Sequence, residues 1–207
     1  HVFLSQENLC RQASRLLKGS NPDTAIPDSL IAAQIYQLSM RRELIANEGA
    51  IYRRRLFEAE NRTAQAIASL AKQPVQVFPH LEAVVEQSQK EQGLLLSARQ
   101  QEAVRSCMTQ PFTILTGGPG TGKTTVLKVI LDVYQRIEGG RILQAAPTGR
   151  AARRMMQSTG LPAGTLHSAL GLIAKSEGSA YHTKGLVPLA ADFVVVDETS
   201  MEIGRAH

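Results

Sequence analysis

The sequence predicts an α/β protein, with a parallel sheet flanked by helices in its carboxyl-terminal half and a mainly helical amino-terminal part. Two observations lead to this prediction. From about residue 97 onward, helix and strand patterns alternate along the chain, which is typical of parallel sheets covered by helices. Before that point the apolar residues repeat mostly at helical spacing, and one short hairpin pattern interrupts them.

The amino-terminal region begins with patterns for helices. Ser5 can cap a first helix that ends near Lys18, because its hydroxyl can accept a backbone N–H of the first turn. Asp28 or Ser29 opens a second helix, and a third runs from about residue 55 to residue 71. All three carry leucine or isoleucine at helical spacing, so each is expected to bury one face.

A hairpin pattern lies between the second and third helices. It covers residues 44–53 and places Gly49 in its turn, where a positive φ angle is needed. The order helix, helix, hairpin predicts a winged-helix-like module over residues 1–73. Residues 74–93 are then expected to form a linker and one further helix.

Arginines are concentrated around this hairpin, at positions 41, 42, 53, 54 and 55. A basic hairpin could contact nucleic-acid phosphates. The simpler interpretation is a solvated surface whose charge is balanced by nearby acidic residues, namely Glu43, Glu48, Glu58 and Glu60. The sequence leaves both interpretations open.

The composition is that of a globular chain that can bind a polyanion. Of 207 residues, 43% are hydrophobic and 20% charged, and the formal net charge is +5. Aromatic residues make up 4% with no tryptophan, which disfavours a base-stacking platform. Two distant cysteines and the absence of an apolar run of ~18 residues lead us to expect a cytoplasmic protein without membrane contact.

The clearest chemical motif is a glycine-rich loop, GGPGTGKT, at Gly117–Thr124. It matches the P-loop pattern and stands between a predicted strand, Phe112–Thr116, and a predicted helix from Thr125 to Gln135. Backbone N–H groups of such a loop, with the helix dipole, surround a triphosphate. We therefore expect ATP here, with Lys123 on the β- and γ-phosphates and the Thr124 hydroxyl on Mg²⁺.

An acidic pair follows a second apolar strand. The four residues Phe193–Val196 predict a buried strand that brings Asp197 to the carboxyl edge of the sheet, where ligands bind in such folds. Asp197 would hold Mg²⁺ through its water shell, and Glu198 would polarise the water that attacks the γ-phosphate. This pair favours an ATPase motor over a kinase or a small GTPase.

Three weaker signals accompany these motifs. Gln100, near the start of a helix that precedes the loop, has an amide that could bind an adenine edge. Thr148, in a turn that follows a strand over residues 142–146, could contact a DNA phosphate together with Arg150. His167 lies in a further short segment, Thr165–His167.

Taken together, these motifs resemble those of the RecD-type DNA helicases, the exodeoxyribonuclease V alpha-subunit family of superfamily-one 5′→3′ helicases. The resemblance rests on the order LSARQ, GGPGTGKT, APTGRAA, TLH and VVVDETSM and covers about residues 94–201. Less specifically, IYRRRLFEAE at residues 51–60 resembles the segment before the motor of stand-alone RecD-like proteins.

The resemblance implies the first RecA-like ATPase domain of a helicase over residues 94–201. It implies that Gln100 is the adenine-side glutamine, Asp197 the metal aspartate and Glu198 the catalytic glutamate. It implies ATP and Mg²⁺ as cofactors, single-stranded or junction DNA as a partner, and other subunits of a recombination complex as further partners. It assigns the triphosphate cradle to Gly117, Gly118, Pro119, Gly120, Thr121, Gly122, Lys123, Thr124 and Thr125, and the DNA track to Pro147, Thr148 and His167, with Arg150 beside them.

The resemblance also implies that a motif of the form Gly-Asp…Gln-Leu follows Met201, on a strand between the loop strand and the Asp-Glu strand. Without that strand, we expect an incomplete sheet with exposed backbone and apolar groups. Residues 202–207 continue no helix or turn pattern and resemble a translated sequencing adapter, so we expect a non-native tail.

Two alternative functions remain open from the sequence. One is the helicase part of a conjugative relaxase or of a phage-type helicase. The other is a non-motor subunit in which the nucleotide switches DNA binding or assembly, although Glu198 argues against it. An exonuclease is disfavoured because no carboxylate cluster for paired metals stands outside the nucleotide site.

Overall fold

The computed structural model describes residues 3–18, 26–173, 182–183 and 188–198. The chain divides into two compact units, one that ends at Ser69 and a second that begins at Leu70. The predicted tail over residues 202–207 and the end of the VVVDETSM motif, residues 199–201, lie outside the described residues.

The first unit is a small antiparallel sheet with helices. Its sheet has the strand order β1-β3-β2, so the first strand pairs with the second strand of the hairpin. Its elements are β1 Phe3–Ser5, α1 Gln6–Lys18, α2 Asp28–Met40, β2 Leu44–Asn47, β3 Ala50–Arg53 and α3 Arg54–Ala71, the last of which continues into the second unit.

Local signals explain these elements. The Ser5 hydroxyl accepts the Asn8 N–H at 3.3 Å, as predicted for the start of α1. Glu48 and Gly49 both have positive φ angles, +48° and +81°, which is the geometry of a two-residue hairpin turn. The core of the unit contains Ile31, Ile51 and Tyr52, each less than 9% exposed.

The second unit is an α/β unit with a parallel sheet of strand order β5-β4-β8. A short antiparallel pair, β6 and β7, lies apart from that sheet. The elements are α4 Leu81–Gln92, α5 Ala98–Thr109, α6 Lys123–Ile137, β4 Ile142–Ala146, α7 Gly149–Thr159, β5 Ala163–Thr165, α8 Leu166–Ala169, β6 Leu172–Ile173, β7 His182–Thr183 and β8 Phe193–Val196.

Helix α6 is the centre of the second unit. Its residues Val126, Val129, Ile130 and Val133 are at most 2% exposed and pack in one cluster with apolar side chains of α4 and α5. On the sheet side, Tyr134 of α6 stacks on Phe193 of β8 with ring centroids 4.5 Å apart. The parallel α/β architecture predicted for this part of the chain is therefore present.

Two predictions about the strands were wrong. Residues 112–116, predicted to form a strand, pair with no strand of the described chain. The edge of β8 that faces away from β4 has no hydrogen-bonded strand beside it among the described residues. Strand β8 is only partly buried, since Val194 is 47% and Val196 39% exposed. Ile114 is 71% exposed.

Within the described ranges, no helix combines the length and the apolar character that crossing a membrane would require.

Replacing Ile130 by alanine tests the central position of α6. We expect the free energy of unfolding of the second unit to fall by about 3 kcal/mol, because Ile130 is 2% exposed and the neighbouring helices cannot close the resulting cavity. Urea denaturation followed by circular dichroism measures this change. The exposed Gln135 of the same helix provides the control: Gln135→Ala should change stability by less than about 0.5 kcal/mol. Equal effects of the two substitutions would contradict this description of the core.

Candidate nucleotide-binding site

The glycine-rich loop turns into the start of α6 through left-handed backbone conformations. Gly120 and Gly122 have φ angles of +75° and +80°, which side chains disfavour. At Gly117 a Cβ atom would lie 2.6 Å from the Thr121 hydroxyl oxygen, and at Gly122 it would lie 2.6 Å from Nε2 of Gln100. Gly120 and Gly122 therefore favour glycine because of their backbone conformation, and at Gly117 a side chain would force the Thr121 side chain to move.

The lysine of the loop folds back onto the loop itself. The Lys123 ammonium donates hydrogen bonds to the carbonyl oxygens of Gly117 at 2.6 Å and of Gly118 at 2.8 Å. The Thr121 hydroxyl also donates to the Gly118 carbonyl, at 2.8 Å. Lys123 is exposed and stands in the first turn of α6, so its charge lies at the end of the loop where backbone N–H groups and the helix dipole favour an anion.

Gln100 holds helix α5 against the loop. Its Oε1 accepts the Ser97 N–H at 2.8 Å, while the Ser97 hydroxyl accepts the Gln100 N–H, which together form a capping box at the start of α5. Its Nε2 donates to the Thr121 carbonyl of the loop at 3.1 Å. Both ends of the amide are therefore engaged, one within α5 and the other on the loop.

The acidic pair stands directly after β8. The Asp197 N–H donates to the Ala145 carbonyl of β4 at 3.0 Å, which continues the parallel ladder by one bond. The Asp197 carboxylate accepts the Glu198 N–H at 2.8 Å, and Glu198 has a φ of +53°, a strained value for a residue with a side chain. The Asp197–Glu198 bond and the positive φ therefore end the extended backbone of β8.

The carboxyl ends of β4 and β5 carry the remaining predicted residues. Pro147 follows β4, and the Thr148 hydroxyl caps α7 by accepting the Ala151 N–H at 3.2 Å. Arg150 is exposed in the first turn of α7. His167 is half-buried in α8, whose cap is Thr165 at the end of β5.

Parallel register places these segments on one edge of the sheet. Ala146 of β4 is opposite Thr165 of β5, and Ala145 is opposite Val196 of β8. Thr148, His167 and the acidic pair therefore all follow strands that end together. Direct contacts join Gln100 to the loop and Asp197 to Glu198, whereas within the described residues no hydrogen bond or ion pair joins the loop to the acidic pair.

Ser97 is the site residue that sequence reasoning missed. No role for Ser97 was predicted from the sequence, although its side chain completes the capping box that orients Gln100. The pattern Ser-x-x-Gln is a recognised signal for the start of a helix, so residues 97–100 could have predicted this capping box.

Comparison with known proteins decides the family. The model of the AAA domain family matches residues 100–203. The RecBCD enzyme subunit RecD of Haemophilus influenzae is 38% identical over 125 residues, which cover 49% of this chain and 19% of that protein. The ATP-dependent RecD2 DNA helicase of Deinococcus radiodurans is 32% identical over 154 residues, 74% of this chain and 21% of that protein.

The chain belongs to the RecD-like DNA helicase family. It spans about one fifth of the length of the curated relatives it matches. A more distant similarity, 34% identity over 90 residues, is to the ATP-dependent DNA helicase dda of Enterobacteria phage T4 and covers 42% of this chain and 20% of that protein. The family resemblance identified from the motif order is therefore confirmed.

Replacing Gln100 by alanine tests its contact with the loop. We expect the dissociation constant for a fluorescent ATP analogue to rise about tenfold, because the variant lacks both the bond to Thr121 that positions the loop and the amide expected to contact the adenine, and a hydrogen bond contributes about 0.5–1.5 kcal/mol. The side chain of the neighbouring Gln101 donates to the Leu96 carbonyl at 3.4 Å and, among the described residues, makes no hydrogen bond to the loop, so it provides the matched control. If Gln101→Ala weakens nucleotide binding as much as Gln100→Ala, the loop contact has no special role.

Proposed function

We propose that this chain is the nucleotide-binding part of an ATP-dependent DNA helicase that moves 5′→3′ along one strand and separates duplexes in recombination and repair. The observation that carries the proposal is the placement of two motifs on one α/β unit. A glycine-requiring loop leads into α6, and an acidic pair follows a strand that packs against the same helix. Direction of movement is inferred from the family alone.

The residues of the loop fit a triphosphate with Mg²⁺. The loop has left-handed backbone conformations at Gly120 and Gly122 that favour glycine, and the Lys123 ammonium is held among its carbonyls. The hard oxygen ligands that Mg²⁺ prefers are available from the Thr124 hydroxyl and the Asp197 carboxylate. When bound, ATP supplies the phosphoanhydride bond and Mg²⁺ compensates the charge of its oxygens.

The chain's own residues would then perform distinct tasks. The Lys123 ammonium would give up its hydrogen bonds to two loop carbonyls and donate to phosphate oxygens instead. The loop would then lose these two internal hydrogen bonds. Asp197 would anchor the metal from the end of β8, while Glu198 would orient the attacking water and accept its proton. Gln100 would carry the adenine contact by giving up one of its two present hydrogen bonds. The cradle would include Gly118, Pro119, Gly120, Thr121 and Thr125.

The DNA track is proposed along the carboxyl edge of the sheet. Pro147 and Thr148 follow β4 and His167 lies after β5, so a strand of DNA running across the edge would meet them in succession. Arg150, exposed at the start of α7, would contact a phosphate, since guanidinium groups bind phosphate oxygens in pairs. These contacts would position the DNA without reading its sequence.

The remaining assignments rest on chain order and family. We propose a motor domain from residue 94, a linker and helix over 74–93 and a winged-helix-like module over 1–73, which the strand order β1-β3-β2 supports. A cytoplasmic protein that works alone or with recombination-complex subunits is the proposed context. Because the chain is also similar to a helicase of phage T4, a phage-type helicase is the second candidate function.

Replacing Lys123 by alanine in the full-length protein tests the phosphate-binding role. We expect DNA-stimulated ATP hydrolysis to fall at least about 100-fold, because a preorganised cation at the phosphates is lost. The exposed Lys128 on the same helix provides the control, and Lys128→Ala should retain wild-type turnover. Normal strand separation by the Lys123 variant would exclude the proposed site.

Replacing Glu198 by glutamine separates binding from chemistry. We expect the affinity for an ATP analogue to stay within about threefold of wild type, while turnover falls by about 10²–10⁴-fold because the proton acceptor is gone. Measurement of both quantities on one preparation distinguishes a motor from a switch. Unchanged turnover would favour the non-motor alternative, in which hydrolysis needs no carboxylate at this position.

A further inference from the structure

The first unit carries a group of arginines that form no ion pair with any residue that the structure describes. We call Arg41, Arg42, Arg53 and Arg55 the arginine cluster; all four side chains are exposed. Over the described ranges, none of them lies within 4.0 Å of a carboxylate oxygen. Arg54 differs, because its guanidinium donates to Glu58 at 2.7 Å on the next turn of α3.

Backbone hydrogen bonds gather the cluster at one end of the hairpin. Helix α2 ends in a tight turn in which the Glu43 N–H donates to the Leu38 carbonyl at 3.0 Å. Arg53 is paired with Leu44 in the ladder, and the Arg54 N–H donates to the Glu43 carbonyl at 3.1 Å. The turn that carries Arg41 and Arg42 therefore lies beside the junction of β3 and α3.

The surrounding charges leave the cluster positive. Glu48 stands in the hairpin turn at the opposite end of the two strands, and Glu43 is in no ion pair of the described chain. The first turn of α3 contains no acidic residue, although it is the positive end of an 18-residue helix. At this end of the hairpin the four arginines of the cluster outnumber Glu43, so the charge here is positive rather than balanced.

Arg42 occupies an unfavourable backbone position. Its φ is +59°, the left-handed conformation that ends helices and is usually taken by glycine or asparagine. An arginine there strains the backbone without making any ion pair in the described part of the chain.

We propose that the arginine cluster binds the phosphate backbone of DNA and is a second DNA contact, separate from the sheet edge of the other unit. The inference rests on the proposed function in that its ligand is DNA. Exposed guanidinium groups bind phosphate oxygens in pairs and release counterions, which suits contact without sequence preference. The cluster belongs to the unit that does not contain the glycine-rich loop, so we expect it to contribute to DNA affinity both with and without bound nucleotide.

A charge-matched pair of variants tests this proposal in the full-length protein. The test variant is R41Q/R53Q/R55Q, and the control variant, R11Q/R15Q/R62Q, removes the same charge from exposed positions on α1 and α3. Arg42 is left unchanged in both, because its backbone conformation could alter the turn. Fluorescence anisotropy with a labelled oligonucleotide, from 50 to 200 mM salt, gives the affinity with and without a non-hydrolysable ATP analogue.

We expect the test variant to bind single-stranded DNA about tenfold more weakly at 50 mM salt, with or without the analogue, and to show a salt slope shallower by about 2. The control variant should match wild type, and circular dichroism should show that both variants are folded. Equal DNA affinity of the test and control variants overturns the inference, while the proposed function stands if the wild type still binds DNA. If the wild type binds no DNA, the proposed function itself fails.

Two other polyanions are competing outcomes. Vesicles containing phosphatidylserine and a polyglutamate peptide are titrated against the same variants. If the test variant loses affinity for vesicles or peptide but not for DNA, the cluster serves a membrane or an acidic protein and the inference is wrong. If the test variant loses affinity for DNA alone, the result supports the inference.

Discussion

Burial of one face of α6 is the interaction on which the nucleotide site depends. The same helix that packs Val129, Ile130 and Val133 against α4 and α5 begins at Lys123, so the core fixes the direction of the helix end that faces the loop. Packing density in such a core leaves little freedom for that end to shift. The positions of the polar contacts of Lys123 and Gln100 therefore depend on the apolar packing of α6.

The register of the sheet determines where the acidic pair of the candidate site stands. Phe193 packs against Tyr134, and four residues later the Asp197 N–H donates the hydrogen bond that extends the ladder to β4. Any slip of β8 by one residue would reverse which of its side chains face α6. Stacking of two aromatic rings thus helps to determine where the carboxylates of Asp197 and Glu198 stand.

Much of this arrangement could be predicted from the sequence, because its signals are local. The glycines of the loop predict positive φ angles, and Gly49 predicts a hairpin turn. Ser5 and Thr148 predict the residues at which helices begin. The burial of β8 could not be predicted, because exposure of Val194 and Val196 depends on which elements cover the sheet. For the same reason the ladder expected at residues 112–116 was wrong, since an apolar run reveals extended backbone but not its partner.

The site shows the same division between local and distant information. The identity of the loop lysine follows from spacing alone, whereas its bonds to the Gly117 and Gly118 carbonyls do not. Likewise, the sequence suggested that Gln100 could bind a base, but its bond to Thr121 joins residues 21 positions apart and needed the fold. The charge imbalance at the hairpin was also hidden, because sequence neighbours such as Glu48 lie at the far end of the strands.

Strand separation on tailed duplexes tests the central claim most directly. With ATP and Mg²⁺, the full-length protein should separate a duplex that carries a 5′ single-stranded tail and leave one with a 3′ tail intact. Replacing ATP by a non-hydrolysable analogue should abolish the separation. If neither duplex is separated in an ATP-dependent manner, the motor assignment is wrong, and separation of the 3′-tailed duplex alone would contradict the proposed direction.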